Sequence, residues 1–99
     1  MNTSAKGAAN ERKAKKLLEL AGYKVIKKVH TRFSPGDFFG CFDLIACSSL
    51  GWRMVQVKSN KRETVKERKA IADFETPIHT TKEVWVFIDR KKVPKIHIL

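Results

Sequence analysis

Phe42-Asp43-Leu44-Ile45-Ala46-Cys47 is followed by Ser48-Ser49-Leu50-Gly51 and then by Trp52-Arg53-Met54-Val55-Gln56-Val57-Lys58. Two apolar runs of strand length joined by a short polar segment containing glycine read as an antiparallel hairpin. Side chains alternate across a strand, so Met54, Gln56 and Lys58 share one face of the second run and Arg53, Val55 and Val57 the other. Two polar groups thus sit on one face of an otherwise apolar strand. Burying a lysine beside an amide is costly without partners, so the pattern implies a use for them. Asp43 interrupts the first run in the same way and calls for a positive partner, which Lys58 and a cation are expected to supply.

The flanking sequence adds alternating helices and strands. Upstream, Ala14, Leu17, Leu18 and Ala21 recur at helical spacing while Arg12, Lys13, Lys15, Lys16 and Glu19 fill the positions between them. This predicts an amphipathic helix beginning near Ser4 as N-cap and stopped by Gly22. Glu11 falls on the buried stripe of that helix, three residues before Ala14. Tyr23 to Val29 reads as a partly exposed strand, and Thr31 to Gly40 as a loop. Downstream, Thr64-Val65-Lys66-Glu67 matches a capping box. The helix that it opens carries Ala70, Ile71 and Phe74 inward and ends before Pro77. Val84 to Ile88 is expected as a central strand and Lys95 to Leu99 as a final short one. The predicted fold class is α/β, in the order helix, three strands, helix, two strands, with a mixed central sheet flanked by helices.

The chain has 99 residues, enough for a single domain spanning 1–99. Lys and Arg number 21 against 10 acids, a net charge of +11 that attracts polyanions. Nucleic acid is therefore the first partner to expect. No apolar run approaches the roughly 20 residues that a spanning helix requires, and the N-terminus lacks a signal-peptide core. The expectation is a cytoplasmic protein with neither a membrane partner nor a small-molecule substrate. Cys41 and Cys47 do not have zinc-site spacing and are expected as reduced, buried thiols.

At Lys6-Gly7-Ala8-Ala9-Asn10-Glu11, Phe42-Asp43-Leu44-Ile45-Ala46 and Gln56-Val57-Lys58-Ser59 the sequence resembles the PD-(D/E)xK nuclease superfamily, and within it the archaeal Holliday-junction-resolvase-like branch. The resemblance covers roughly the first 60 residues, in the family's order. It implies a restriction-endonuclease-like core, Glu11 as the first-helix glutamate, Asp43 as the metal-binding aspartate, Gln56 at the acidic position of (D/E)xK, and Lys58 as its lysine. Phe42 stands where the family often has proline, and Gln56 where it usually has Asp or Glu. The implied activity is metal-dependent endonucleolytic hydrolysis of DNA with Mg²⁺ or Mn²⁺. Hydrolysing a phosphodiester requires an activated water and stabilisation of charge on phosphorus, and a hard cation on oxygen ligands serves both needs. Asp43, the Gln56 side-chain oxygen and the Val57 carbonyl suffice for an open site. Glu11 restores the negative charge that Gln56 lacks, and Lys58 acts as a positioned cation toward phosphate.

Around this set, Arg53, Lys61, Arg62, Lys66, Arg68 and Lys69 are candidates for tracking phosphates, and His30, Arg32 and Ser34 for touching the nucleic acid from the loop. Asp37 is a rival metal ligand, ranked below Asp43 because Asp43 stands in the strand register. Phe33, Phe38, Phe39 and Phe42 are expected in the core or at a subunit contact, ahead of a third role as a wedge against bases. His79 and His97 receive no role. One active site cuts once and a junction needs two cuts, so the resemblance also implies a symmetric homodimer, through the aromatic loop or the last strand. The alternative is a catalytically inactive basic DNA- or RNA-binding module on the same fold.

Overall fold

The computed structural model describes residues 3–29 and 36–99. His30, Arg32, Phe33 and Ser34, four of the residues singled out above, lie outside the described residues. The elements run α1 (Thr3–Leu20), β1 (Lys24–Lys27), β2 (Leu44–Ser48), β3 (Gly51–Ser59), α2 (Val65–Asp73), β4 (Thr80–Phe87) and β5 (Lys95–Ile98). This is the expected order. The strands form one mixed sheet in the order β1-β2-β3-β4-β5, antiparallel except for the parallel β3–β4 pair, which α2 connects. A parallel pair needs such a crossover, whereas the β2–β3 hairpin closes directly with Ser48 opposite Gly51.

Residues adjacent along β3 belong to different cores. Val55 packs with Ala14, Leu18, Leu44, Ala46, Trp85 and Phe87, and Met54 with Cys41, Phe42, Ile71, Val84 and Val86. The strand period of two therefore divides the interior, with α1 covering one face of the sheet and α2 the other. Leu18, Leu44, Phe42, Ile71, Val55 and Val84 are fully buried. Each such side chain contributes roughly 1.5–3 kcal/mol relative to exposure.

Helix boundaries follow their end signals, with small departures. At the end of α1 the Gly22 amide donates to the Glu19 carbonyl and the Tyr23 amide to the Leu18 carbonyl, both at 3.0 Å. This paired closure requires the left-handed backbone of Gly22, whose φ is 96°. Ser4 is already helical, so it is not the N-cap, and Ala21 lies past the helix and is exposed. The capping box is present: Thr64 Oγ1 accepts from the Glu67 amide at 3.1 Å, and Glu67 Oε1 accepts from the Thr64 amide at 2.8 Å. Ile71 faces the core and Phe74 is half-buried, but Ala70 is exposed because the short α2 offers the sheet only a narrow stripe. β4 begins four residues before the expected Val84 because Thr80 to Glu83 also pair with β3. It is an interior strand, while β3 takes the middle place.

Both thiols are free; Cys41 is buried and Cys47 half-buried. Among the described residues no helix is long and apolar enough to cross a membrane. Gly51 has φ 132°, and a side chain there would collide with the His79 carbonyl oxygen, which already accepts from the Trp52 amide at 2.8 Å. Gly51→Ala is expected to destabilise the protein by more than about 1 kcal/mol, read as a lowered melting temperature.

Candidate active site

Asp43 is placed by the hairpin itself. Just before β2 its amide donates to the Val55 carbonyl at 2.8 Å, and its carboxylate Oδ2 accepts from the Val57 amide at 2.7 Å. Asp43 therefore brackets Gln56 on β3, its side chain taking a position that the backbone ladder has left. On its other side the Lys28 amide donates to the Asp43 carbonyl at 2.8 Å, which holds the end of β1 against the same residue. Lys28, Asp43 and Gln56 thus come from three neighbouring chain segments at one end of the sheet.

Lys28 is the positive partner of Asp43, a correction to the expectation that Lys58 would face it. The Lys28 ammonium lies 2.6 Å from Asp43 Oδ1, 2.8 Å from Asp37 Oδ1 and 3.5 Å from Glu11 Oε2. Glu11 reaches this point from the buried stripe of α1 and is only 5% exposed. The neighbouring Asn10 docks the same stretch of helix on the end of β3, its Nδ2 donating to Ser59 Oγ at 2.7 Å. Lys27 approaches Glu11 Oε1 more loosely, at 3.7 Å.

Three carboxylates face the Lys28 ammonium, with Lys27 beside one of them. Burial opposes the Lys28 ammonium, yet hydrogen bonds to Asp37 and Asp43 and the nearby Glu11 charge outweigh it and raise the pKa, so Lys28 stays protonated. Burial holds the Asp43 carboxyl above the usual carboxylate value, with Lys28 and the Val57 amide restraining the rise and Glu11 adding to it.

Lys58 is on β3 near the same end, and its ammonium lies 3.2 Å from both carboxylate oxygens of Glu67. The capping glutamate of α2 therefore also orients this lysine. Burial alone would raise Glu67, but the Thr64 amide and the Lys58 ammonium hold it below its ordinary value.

Two buried acceptors here, Glu11 Oε1 and Gln56 Oε1, have no hydrogen-bond donor among the described residues. Orphaned oxygens of this kind suit a hard cation, which takes oxygen ligands and keeps several waters. The residues present fit such an ion: carboxylates from Glu11 and Asp43, an amide oxygen from Gln56 and the adjacent Val57 carbonyl. Among the described residues no three His, Cys, Asp or Glu side chains form a cation cage by themselves. The ammonium that touches Asp43 and Asp37 and approaches Glu11 is that of Lys28, with Lys27 farther off on Glu11 alone.

The basic residues divide into several groups. Arg53 does not flank this site. Its guanidinium is held by Glu83 through two bonds of 2.8 Å and lies over the rings of Tyr23 and Trp85 at 5.2 and 5.5 Å. It sits five residues before Lys58 on an extended strand, so roughly 17 Å separates them. Arg62 and Arg68 both bind the buried Glu63, Arg62 through bonds of 3.1 and 3.2 Å and Arg68 at 2.9 Å. Against the effect of burial, these two arginines keep the Glu63 pKa low. Lys69 pairs with Asp73 along the exposed face of α2 at 2.9 Å. Lys61 and Lys66 are exposed and make no ion pair among the described residues. In the loop, Phe42 is fully buried edge-on to Phe74, and Phe39 is exposed and stacked on the same ring.

The sequence reading missed Lys28 and Glu83. A lysine in an alternating strand looks solvated, and only the β1–β2 register sets it opposite Asp43. Glu83 carried one signal, an acid directly before the apolar run Val84-Trp85-Val86-Phe87.

Neither a protein-family model nor a curated protein matches the chain. Among solved structures, Hjc of Archaeoglobus fulgidus, a Holliday junction resolvase from an archaeal hyperthermophile, is similar with a TM-score of 0.72 at 20% identity, over 93% of this chain and 76% of that chain. At that identity the likeness establishes architecture, and it agrees with the resemblance carried by the short motifs: the chain has the α/β, restriction-endonuclease-like fold of an archaeal resolvase.

Proposed function

We propose that the chain is a metal-dependent endonuclease that hydrolyses phosphodiester bonds of branched DNA, four-way junctions first among them, and works as a homodimer. The observation that supports this reading is that Glu11 and Asp43 converge on one ammonium, that of Lys28, at the end of β3 where the bonds of Asp43 to Val55 and Val57 bracket Gln56, on a fold shared with a resolvase. Side chains of Glu11, Asp43 and Gln56, with the Val57 carbonyl, would hold Mg²⁺ or Mn²⁺. When bound, such an ion neutralises phosphate charge and favours deprotonation of water. Gln56 contributes an oxygen without charge, so Glu11 provides the second negative charge of the set. Lys58, oriented by Glu67, presents its ammonium to the phosphate and stabilises the charge that develops there. Lys61 and Lys66 extend the positive surface along the chain beyond β3.

The test is cleavage of labelled four-way-junction, flap and linear duplex DNA in Mg²⁺, Mn²⁺ or EDTA. Symmetric, metal-dependent nicks in the junction support the reading. Absence of cleavage on every substrate, with tight binding indifferent to EDTA, replaces it with the inactive DNA-binding module, which the uncharged Gln56 and the Lys28 ammonium favour. In either case, the double substitution Lys61→Ala and Lys66→Ala is expected to weaken binding equally across DNA sequences. The slope of log affinity against log salt is expected to fall by about 0.9 for each phosphate that the variant no longer neutralises, measured by anisotropy titration.

A further inference from the structure

Lys28 belongs to no part of the mechanism above, yet its ammonium occupies the middle of the carboxylate group. Asp43 Oδ1 is 2.6 Å from it, Asp37 Oδ1 2.8 Å and Glu11 Oε2 3.5 Å. Mg²⁺ lies about 2.0–2.1 Å from its oxygen ligands, so an ion on the same carboxylates would be in near contact with this ammonium, and two like charges so close repel strongly. The three acids differ in access: the side chains of Glu11 and Asp43 are 6% and 9% exposed, and that of Asp37 is 30% exposed. An ammonium leaving the inner pair can therefore remain on the outer acid. Glu11 Oε1, buried and without a hydrogen-bond donor among the described residues, is an acceptor that Lys28 leaves unsatisfied and that Lys27 approaches only to 3.7 Å.

We propose that Lys28 is a built-in counter-ion of the cation site: it holds Glu11 and Asp43 together when no metal is bound, competes with the metal for them, and withdraws to Asp37 when the metal enters. This rests on the metal-site reading above and assigns to Lys28 the control of metal affinity. Without such a charge, buried carboxylates repel one another, so the lysine assembles the site before the ion arrives. Competition weakens metal binding in exchange.

The experiment is calorimetric titration of Mn²⁺ into the full chain and into Lys28→Gln, which keeps a donor for Asp43 and Asp37 but no charge. Thermal melts with and without Mn²⁺ accompany each titration. The dissociation constant is expected to fall at least about tenfold in Lys28→Gln. The melting temperature should be lower than that of the parent chain without metal, with a larger Mn²⁺-dependent rise. Unchanged or weaker Mn²⁺ binding by a folded Lys28→Gln, where the parent chain binds, overturns the competition alone. No Mn²⁺ binding by either chain overturns the metal-site reading with it. Adding Asp37→Asn to Lys28→Gln is expected to leave the affinity unchanged, and a loss there makes Asp37 a ligand and overturns its assignment as the seat of the displaced lysine. Should Lys28→Gln be unfolded without metal, Mn²⁺-driven folding of that chain supports the proposal, and failure of Mn²⁺ to fold it counts against it.

Discussion

Asp43→Asn is expected to abolish DNA cleavage, by roughly 10³-fold or more, while leaving junction affinity within a few-fold of the parent chain. The asymmetry comes from what the carboxylate does. An asparagine there keeps an oxygen for the Val57 amide, so the end of β3 stays in place, and the lysines that attract phosphate are untouched. What disappears is one negative charge in a set already short of one at Gln56. Lys28 keeps Asp37 and Glu11 as partners, so its ammonium is not abandoned in the interior. Lys58→Ala is expected to lose cleavage too, since it removes the cation facing phosphate, and here Glu67 keeps its Thr64 amide and hence the helix cap. Single-turnover cleavage measured beside anisotropy binding checks both. Cleavage retained by either variant removes that residue from the chemistry.

The largest expected effect on stability lies in the middle of β4, at Glu83, which stands opposite Val55. This carboxylate is 1% exposed and accepts from Arg53 twice at 2.8 Å, from Trp85 Nε1 at 2.8 Å and from the Thr81 hydroxyl. Glu83→Ala leaves a half-buried guanidinium and an indole N–H without their acceptor. Breaking such a pair from one side costs about 3–5 kcal/mol. A domain of this size has a total stability of only about 5–15 kcal/mol, so the variant is expected to unfold at much lower denaturant, measured by urea titration. DNA binding should persist in whatever fraction remains folded. The same site predicts acid sensitivity. Burial opposes the Glu83 charge, but its bonds to Arg53, Thr81 and Trp85 outweigh that and lower its folded pKa below the ordinary glutamate value. Its contribution is therefore present above the unfolded pKa and is lost as pH falls through the folded one. Glu63, lowered by Arg68 and Arg62, acts in the same direction. Asp43 acts in the opposite one: its folded pKa is raised, so its contribution is present at low pH and fades as pH rises through that value. Urea titrations of the parent chain at stepped acidic pH should show stability falling toward acid, and Glu83→Gln should flatten that dependence.

Much of the architecture follows from local pattern. The spacing of Ala14, Leu17 and Leu18, the glycine at 22, the Thr64–Glu67 capping box and the two apolar runs around Ser48-Ser49-Leu50-Gly51 specify helix, hairpin and helix through interactions a few residues long. Strand alternation likewise separates Met54 from Val55 and so distinguishes the two faces of the sheet. Four residues of the candidate site, Glu11, Asp43, Gln56 and Lys58, were legible for the same reason: each is a polar group where the local period demands an apolar one.

Partnership was not legible, because it depends on which strands adjoin and in what register. Lys28 meets Asp43 only because β1 pairs antiparallel with β2 across an intervening loop, and a shift of one residue would turn its side chain to the other face. Arg53 and Lys58 lie on opposite faces of one strand, and the sequence reveals the partner of neither. The parallel pairing of β3 with β4 brings Glu83 to the first, and the position of α2 brings Glu67 to the second. Periodicity determines where a charge stands along its own element, whereas the identity of the opposite charge is a tertiary fact, decided by the closure of loops whose entropy varies too weakly with length to select a register.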